Sequence, residues 1–205
     1  MELEPNRCYQ TSADRGTTFF TNAEGKIFRV EATASGTGPL NPDLHNLLPD
    51  TTYVVNKNTV FQTDALSRPV QMDAYEMSVG KGARSEYTQG KVGAQGREEF
   101  PEADYEGGHL KGVQFLGPRE RINYVPMLEN INNARSSFID QATGENFGTM
   151  ENKIATILRE KPDSVADLQV KPIYEGTGMV PVRIKAKWRI DGGEWIEREF
   201  VNVPG

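Results

Sequence analysis

Alternation of apolar and polar side chains is the first signal along this chain, and it is strongest near the end. Arg183, Lys185, Lys187 and Arg189 alternate with Ile184, Ala186, Trp188 and Ile190. A period of two places the basic side chains on one face of a strand and the apolar ones on the other. Asp191-Gly192-Gly193 then supplies a three-residue hairpin loop. A returning strand over 194–203 puts Lys187 opposite Glu197 and Lys185 opposite Glu199. A further strand is expected over 166–174, with the alternating one spanning 179–190. Near the start, 17–21 and 26–30 read as a hairpin around the turn Asn22-Ala23-Glu24-Gly25. A second hairpin joins 52–55 to 59–63, and β character continues over 70–74.

Helical spacing is found in two places. The segment 128–139 is short and rich in Asn. The segment 147–158 is clearer: Phe147, Met150, Ile154, Ile157 and Leu158 recur as one face of a helix, Asn146 suits the N-cap and Pro162 marks a stop. Gly, Ser and Pro make 33–42 a linker by composition. Residues 78–108 are rich in Gly and lack apolar periodicity, which predicts an extended surface loop, a kind of segment that usually carries function or is disordered.

Composition narrows the class. The chain has 205 residues, enough for one large or two small domains with a real core. A single Cys excludes a disulfide framework and a cysteine-based zinc cluster. No apolar run approaches the roughly 20 residues that span a bilayer, so no membrane partner is expected, and the first residues do not read as a signal peptide. With 20 Gly, 12 Pro and the hairpins above, the fold class expected is α+β. The net charge of −6 argues against a protein that coats nucleic acid, but not against an enzyme that grips a few phosphates. It is also uneven. Residues 1–77 carry 6 positive and 10 negative charges, whereas 78–135 carry 8 of each. The Gly-rich middle is neutral within an acidic chain.

Only two histidines can do histidine chemistry. His45 sits among prolines without nearby acids and reads as a packing or surface residue. His109 follows Asp104-Tyr105-Glu106-Gly107-Gly108. Two glycines there would let the backbone approach a ligand or adopt positive φ, and an imidazole titrates near neutrality. Downstream lie Arg121-Ile122-Asn123-Tyr124-Val125-Pro126-Met127, then Asn130, Asn132 and Asn133, then Met150-Glu151-Asn152 on the second helix. An imidazole, an amide and a helical carboxylate form a sensible set for phosphodiester cleavage. The imidazole takes a proton from water, and a hard divalent ion takes oxygen ligands from amide, carboxylate and several waters. Plain readings stand beside these. Asn132 could cap a helix, Glu151 could pair with Lys153 or Arg159, and Arg84 could be an ordinary loop arginine. The basic face of 183–189 could track a nucleic-acid backbone or form a cross-strand ion ladder with Glu197 and Glu199. Cys8 reads as a free thiol without a base beside it.

The segment from about Tyr53 to Leu158 resembles the bacterial DNA/RNA non-specific endonucleases, which are ββα-metal (His-Me finger) nucleases. The likeness is carried by Tyr53-Val54-Val55-Asn56 with Phe61-Gln62-Thr63-Asp64, by Gly107-Gly108-His109-Leu110, by Asn123-Tyr124-Val125-Pro126-Met127 and by Met150-Glu151-Asn152. The branch most similar is that of toxin domains in secreted bacterial proteins. The resemblance implies a ββα-metal core at about 104–160 with additional antiparallel hairpins, within a nuclease domain over 51–205 behind an N-terminal extension over 1–50. It implies His109 as general base, Arg84 as the arginine that steadies the phosphate, and Asn132 and Glu151 as the Mg2+ site, with Mn2+ as a substitute. It implies 5′-phosphate products, DNA and also RNA as substrates, and a cognate immunity protein. It also implies secretion or delivery into a target cell and action in the target cytoplasm. Two departures stand out. Glu106-Gly107-Gly108-His109 replaces the Asp-Arg-Gly-His of the longer-studied branch, and Asn132 and Glu151 are 19 residues apart rather than two helical turns. An insertion over 136–145 accounts for the spacing. Asp140 is the rival carboxylate, and Asn130 and Asn133 are the rival amides. The alternative reading is a binding or structural module that keeps the nuclease scaffold without turnover.

Overall fold

The computed structural model describes residues 3–11, 16–136 and 144–204. Its strands are β1 (Cys8–Gln10), β2 (Thr18–Thr21), β3 (Ile27–Ala32), β4 (Thr52–Val55), β5 (Thr59–Thr63), β6 (Pro69–Met77), β7 (Tyr105–His109), β8 (Tyr124–Leu128), β9 (Ala166–Ile173), β10 (Arg183–Ile190) and β11 (Ile196–Val201). Helices are α1 (Glu86–Glu99), the one-turn α2 (Glu129–Asn132) and α3 (Phe147–Glu160). The chain is therefore α+β. Among the described residues, nine strands make one sheet in the order β1-β2-β3-β4-β5-β6-β9-β10-β11, and β7 with β8 makes a separate ribbon.

The large sheet is one-sided because its strands alternate. Val30, Tyr53, Phe61, Met72, Val170 and Ile184 point inward and are fully buried, in one cluster with Phe147, Met150 and Ile154 of α3. Each such side chain contributes about 1.5–3 kcal/mol relative to exposure. The opposite face carries Lys171 and Lys185, which are exposed. The β10–β11 register is the expected one, with Lys185 opposite Glu199 and Lys187 opposite Glu197. Its charges are mostly matched: Lys185 pairs with Glu199 at 3.2 Å and Arg189 with Asp167 at 2.8 Å, while Lys187 lies 4.8 Å over the Trp195 ring.

Both early hairpins form as the alternation predicts. The pair β3–β4 is parallel, so the chain between must cross over rather than turn back. That crossover is the segment whose composition suggests a linker, yet it is stitched to the protein. Oε1 of the fully buried Glu120 accepts the N–H groups of Ser35 at 2.8 Å and Asn41 at 3.1 Å. The Leu44 carbonyl accepts the N–H of Ile122 at 3.1 Å.

Two expectations are corrected. The Gly-rich stretch is not a continuous loop, because it contains α1. This helix buries Thr88, Val92, Gly93 and Gly96 rather than an apolar stripe. A Cβ on Gly96 would come within 2.4 Å of the Tyr105 side chain, and one on Gly93 within 2.9 Å of the Tyr105 carbonyl oxygen. Close approach to β7 replaces side-chain burial, which is why no helical period is visible. Ser85 caps the helix by accepting the Thr88 N–H at 3.2 Å. In the Asn-rich segment expected as a helix over 128–139, the described residues up to 136 form only the single turn of α2, and 137–139 lie outside the described residues. By contrast, α3 begins after Asn146 as its spacing predicts, and Asn146 with Thr149 forms a reciprocal cap. All of α1, β7, β8, α2 and α3 lie in sequence between β6 and β9, which are neighbours in the sheet.

Candidate active site

The ribbon β7–β8 positions the central residue. His109 ends β7 and pairs with Tyr124 across the ribbon, and their rings lie 4.4 Å apart. The two glycines before it are not in the positive-φ region, so one reason expected for them is not the one at work. They are needed for space. A Cβ on Gly107 would come within 2.6 Å of the Gln89 backbone in α1, and one on Gly108 within 2.6 Å of the Met127 side chain. Behind His109, the buried Asn123 pins the next loop. Its Oδ1 accepts the Lys111 N–H at 2.9 Å, and its Nδ2 donates to the carbonyls of Lys111 and Pro118, each at 2.9 Å.

A cleft of about 940 Å³ opens beside the ribbon, lined by His109, Arg84, Asn132, Glu151, Arg97 and Arg135 among others. The four residues singled out in the sequence thus border one space. Different elements bring them there. Arg84 directly precedes the α1 cap, His109 ends β7, Asn132 ends α2, and Glu151 sits in the second turn of α3. The 19-residue gap between Asn132 and Glu151 does not separate them, because α3 folds back against α2. A Cβ on Gly148 would come within 2.5 Å of the Asn132 carbonyl oxygen. Asn146 Nδ2 donates to the carbonyls of Asn130 at 3.2 Å and Asn133 at 3.0 Å, joining the two helices.

The rivals differ in placement. Asp140 lies outside the described residues. Asn133 borders the cleft, but its amide is engaged at both ends, by Glu129 Oε1 and by the Arg135 N–H. Asn130 does not border it. Asn132 Nδ2 donates to Glu106 Oε2 at 2.8 Å, which orients its amide and leaves the oxygen as the end suited to a cation. The cations expected beside Glu151 have other partners: Lys153 pairs with Glu145 at 2.8 Å and Arg159 donates to Gln114 at 3.0 Å. His45 stacks on Tyr87 of α1 and does not border the cleft.

The electrostatics follow from burial. His109 is 8% exposed, and burial, aided by the Arg84 charge, pushes its imidazole down to about 4. It is therefore neutral at physiological pH. Its Nε2 is buried and has no hydrogen-bond partner among the described residues. Burial pushes the Glu151 carboxyl up to about 8, against the lowering effects of the Gly112 N–H and Arg84. Glu151 Oε1 is likewise buried and unpartnered among the described residues. Arg84 thus acts on both groups from close by.

An unpartnered carboxylate oxygen that burial drives toward protonation calls for positive charge. Among the described residues no group of three or more His, Cys, Asp or Glu could hold a metal, so a ligand cage of the zinc type is not built. One carboxylate and one oriented amide fit instead a hard divalent ion that keeps most of its waters.

The family described as DNA/RNA non-specific endonuclease matches residues 49–192. The chain belongs to this family. Among solved structures similar to this endonuclease-family chain is one described as an extracellular endonuclease. It has 19% identity and a TM-score of 0.50, covering 96% of this chain and 93% of that one. An extracellular nuclease gives 24% identity and a TM-score of 0.43, covering 73% and 75%. The Sda1 nuclease with bound zinc ion gives 16% identity and a TM-score of 0.41, and the alignment covers 48% of this chain and 38% of that one. The endonuclease-family chain therefore spans well under half the length of the Sda1 nuclease.

Some residues of the site are absent from the sequence reading. Tyr124 appears there only as part of a motif, although its ring packs on His109. Lys111 escapes notice altogether: it is 3% exposed, and its Nζ donates to Thr59 Oγ1 at 2.9 Å. Burial pushes its ammonium down to about 8. A lysine two residues after a catalytic candidate gives no sign in sequence that it points into the core. Arg97 and Arg135 also border the cleft, one from the Gly-rich stretch and one from the Asn-rich segment, and neither carries a signal in the sequence.

Proposed function

We propose that the chain is a metal-dependent, sequence-tolerant endonuclease that hydrolyses phosphodiester bonds of DNA and RNA. The ribbon β7–β8 with α3 forms its ββα-metal core. The observation that carries the reading is that His109 and Glu151, whose Nε2 and Oε1 are buried and without a partner among the described residues, border one cleft with Arg84 in an endonuclease-family chain.

In this reading the scissile phosphate lies against Arg84, whose guanidinium can take two phosphate oxygens at once. His109 is neutral, so Nε2 can accept a proton from a water that attacks phosphorus in line with the leaving oxygen. Tyr124 packs on the imidazole and limits its rotation. Asn132 and Glu151 would hold Mg2+ or Mn2+, an ion that neutralises charge on the phosphate and the leaving oxygen when bound. Arg97 and Arg135 extend the positive border, and the aromatic rings of the site serve packing. Contacts to backbone rather than bases suit cleavage without sequence preference.

The extracellular neighbours support a secreted site of action. A toxin delivered into the cytoplasm of a target cell, with an immunity protein guarding the producer, extends the same reading. His109→Ala should abolish plasmid and RNA cleavage while the thermal transition is retained, and EDTA should abolish wild-type cleavage. Cleavage at the wild-type rate by the folded variant would exclude His109 as base. Full activity in EDTA would exclude the metal role.

A further inference from the structure

We propose that Asn202 is a positioning residue for the metal side of the cleft, reached from beyond the family-matched segment. The proposal rests on the reading of Asn132 as the metal-binding amide.

Asn202 follows β11 and is fully buried. Its side chain uses its donors and acceptor on the ribbon and the neighbouring loop. Oδ1 accepts the Leu128 N–H at 2.8 Å, and Nδ2 donates to the carbonyls of Pro126 at 3.0 Å and Pro181 at 2.8 Å. Its backbone is engaged as well: the carbonyl accepts the Tyr105 hydroxyl at 2.8 Å, and the N–H donates to the Val182 carbonyl at 2.9 Å. One residue thus ties both strands of the ribbon to the end of the sheet.

The place it holds is where β8 turns into α2. Leu128 is the N-cap residue of α2, and no side chain caps that helix. Further ties at this point are the pairing of Leu128 with Tyr105 across the ribbon and the Glu129 N–H, which donates to the Asp104 carbonyl at 2.8 Å. A four-residue helix is about 6 Å long, so displacement of its first residue is passed to Asn132 at its last. The far end of α2 is fixed by Asn146. Asn132 therefore sits between two asparagine clamps, and the family match at 49–192 includes Asn146 but not Asn202. Outer groups that orient a ligand typically change metal affinity by about 10–100-fold when removed.

The test uses the full chain and Mn2+ as probe. Asn202→Ala should raise the Mn2+ concentration for half-maximal plasmid cleavage roughly tenfold. Calorimetric Mn2+ binding to the metal-free protein should weaken by a similar factor, and KM for DNA at saturating Mn2+ should stay within about twofold. Asn202→Asp keeps the acceptor for the Leu128 N–H but loses the donor to the Pro126 and Pro181 carbonyls, so it should weaken Mn2+ binding as well. Val30→Ala, in β3 far from α2, serves as a control for lost stability and should leave Mn2+ binding unchanged. Unchanged Mn2+ affinity in folded Asn202→Ala, or an equal loss in the control, overturns the proposal. If Asn202→Ala does not fold, Asn202→Ser is measured in its place, and wild-type Mn2+ affinity there overturns the proposal. Failure of the underlying reading looks different: Asn132→Ala would then bind Mn2+ like wild type, whatever Asn202 does.

Discussion

The cleft has two helical walls of equal length and opposite construction. Both α1 and α3 have 14 residues. The wall that carries Glu151 is anchored by large apolar side chains, Phe147, Met150, Ile154 and Leu158. The wall that leads from Arg84 is anchored by missing side chains, with Gly93 and Gly96 seated against Tyr105. A helix that buries side chains tolerates small shifts, because several contacts share the load. A helix seated backbone to strand has its distance fixed by contact of the two backbones. Arg84 thus stands at the start of the less adjustable wall.

The contrast can be broken from either side. The largest expected effect is on α3, where Ile154→Ala should cost about 2–5 kcal/mol through lost burial and a cavity. Denaturant unfolding measures it, and a loss below 1 kcal/mol would mean that α3 is not anchored as described. On α1, the opposite change should do harm. Gly96→Ala adds a methyl where no room exists and should cost about 1–3 kcal/mol by overpacking, although alanine favours an isolated helix. A stabilised Gly96→Ala protein would refute the close seating of α1. Smaller effects come from the caps. Ser85→Ala and Asn146→Ala should each cost about 0.5–2 kcal/mol. They should diverge in kinetics: Ser85→Ala raises KM for DNA through Arg84, and Asn146→Ala raises the metal requirement through Asn132. Identical kinetic signatures would erase the distinction between the walls.

The finest test is pH. A general base works when deprotonated, so activity is present above its pKa and lost as pH falls through it. For metal-loaded enzyme free of DNA, in which the ion would hold Glu151 ionised, the acid limb of kcat/KM should fall near the value of about 4 set by burial and Arg84. A bound phosphate offsets the Arg84 charge, so the limb of kcat should lie higher. Arg84→Gln should move the kcat/KM limb upward, because a cation that disfavours imidazolium is gone. A limb that ignores Arg84 would separate it from His109.

What the sequence disclosed followed where information was carried by side chains. The alternation in β10 fixed even the Lys185–Glu199 register, and the apolar period with Asn146 placed α3. The cluster of His109, Arg84, Asn132 and Glu151 was legible only through motifs and a resemblance. What stayed hidden was carried by backbone and by distant contacts. A glycine face in α1 has no hydrophobic period to read. The crossover over 33–51 looks like a linker until Glu120 is seen to bind it from 79 residues away. Lys111 and Asn202 are buried polar residues whose partners lie 52 and 74 residues distant in the chain, at Thr59 and Leu128. No local pattern announces such pairings.

The position of the cleft between β6 and β9 has a consequence for the order of events on the ribosome. Met72 and Val170 are direct neighbours in the sheet, yet every element that lines the cleft is translated between them. At about 5–20 residues per second, the ribbon, which ends at Leu128, is made about 2–8 seconds before β9 begins at Ala166, and α3, which ends at Glu160, about one second or less before it. Throughout that interval Phe147, Met150 and Ile154 of α3 lack Leu168 and Val170 of β9, with which they share the core. Firm seating of the cleft's walls against the sheet therefore follows the making of every residue that lines the cleft.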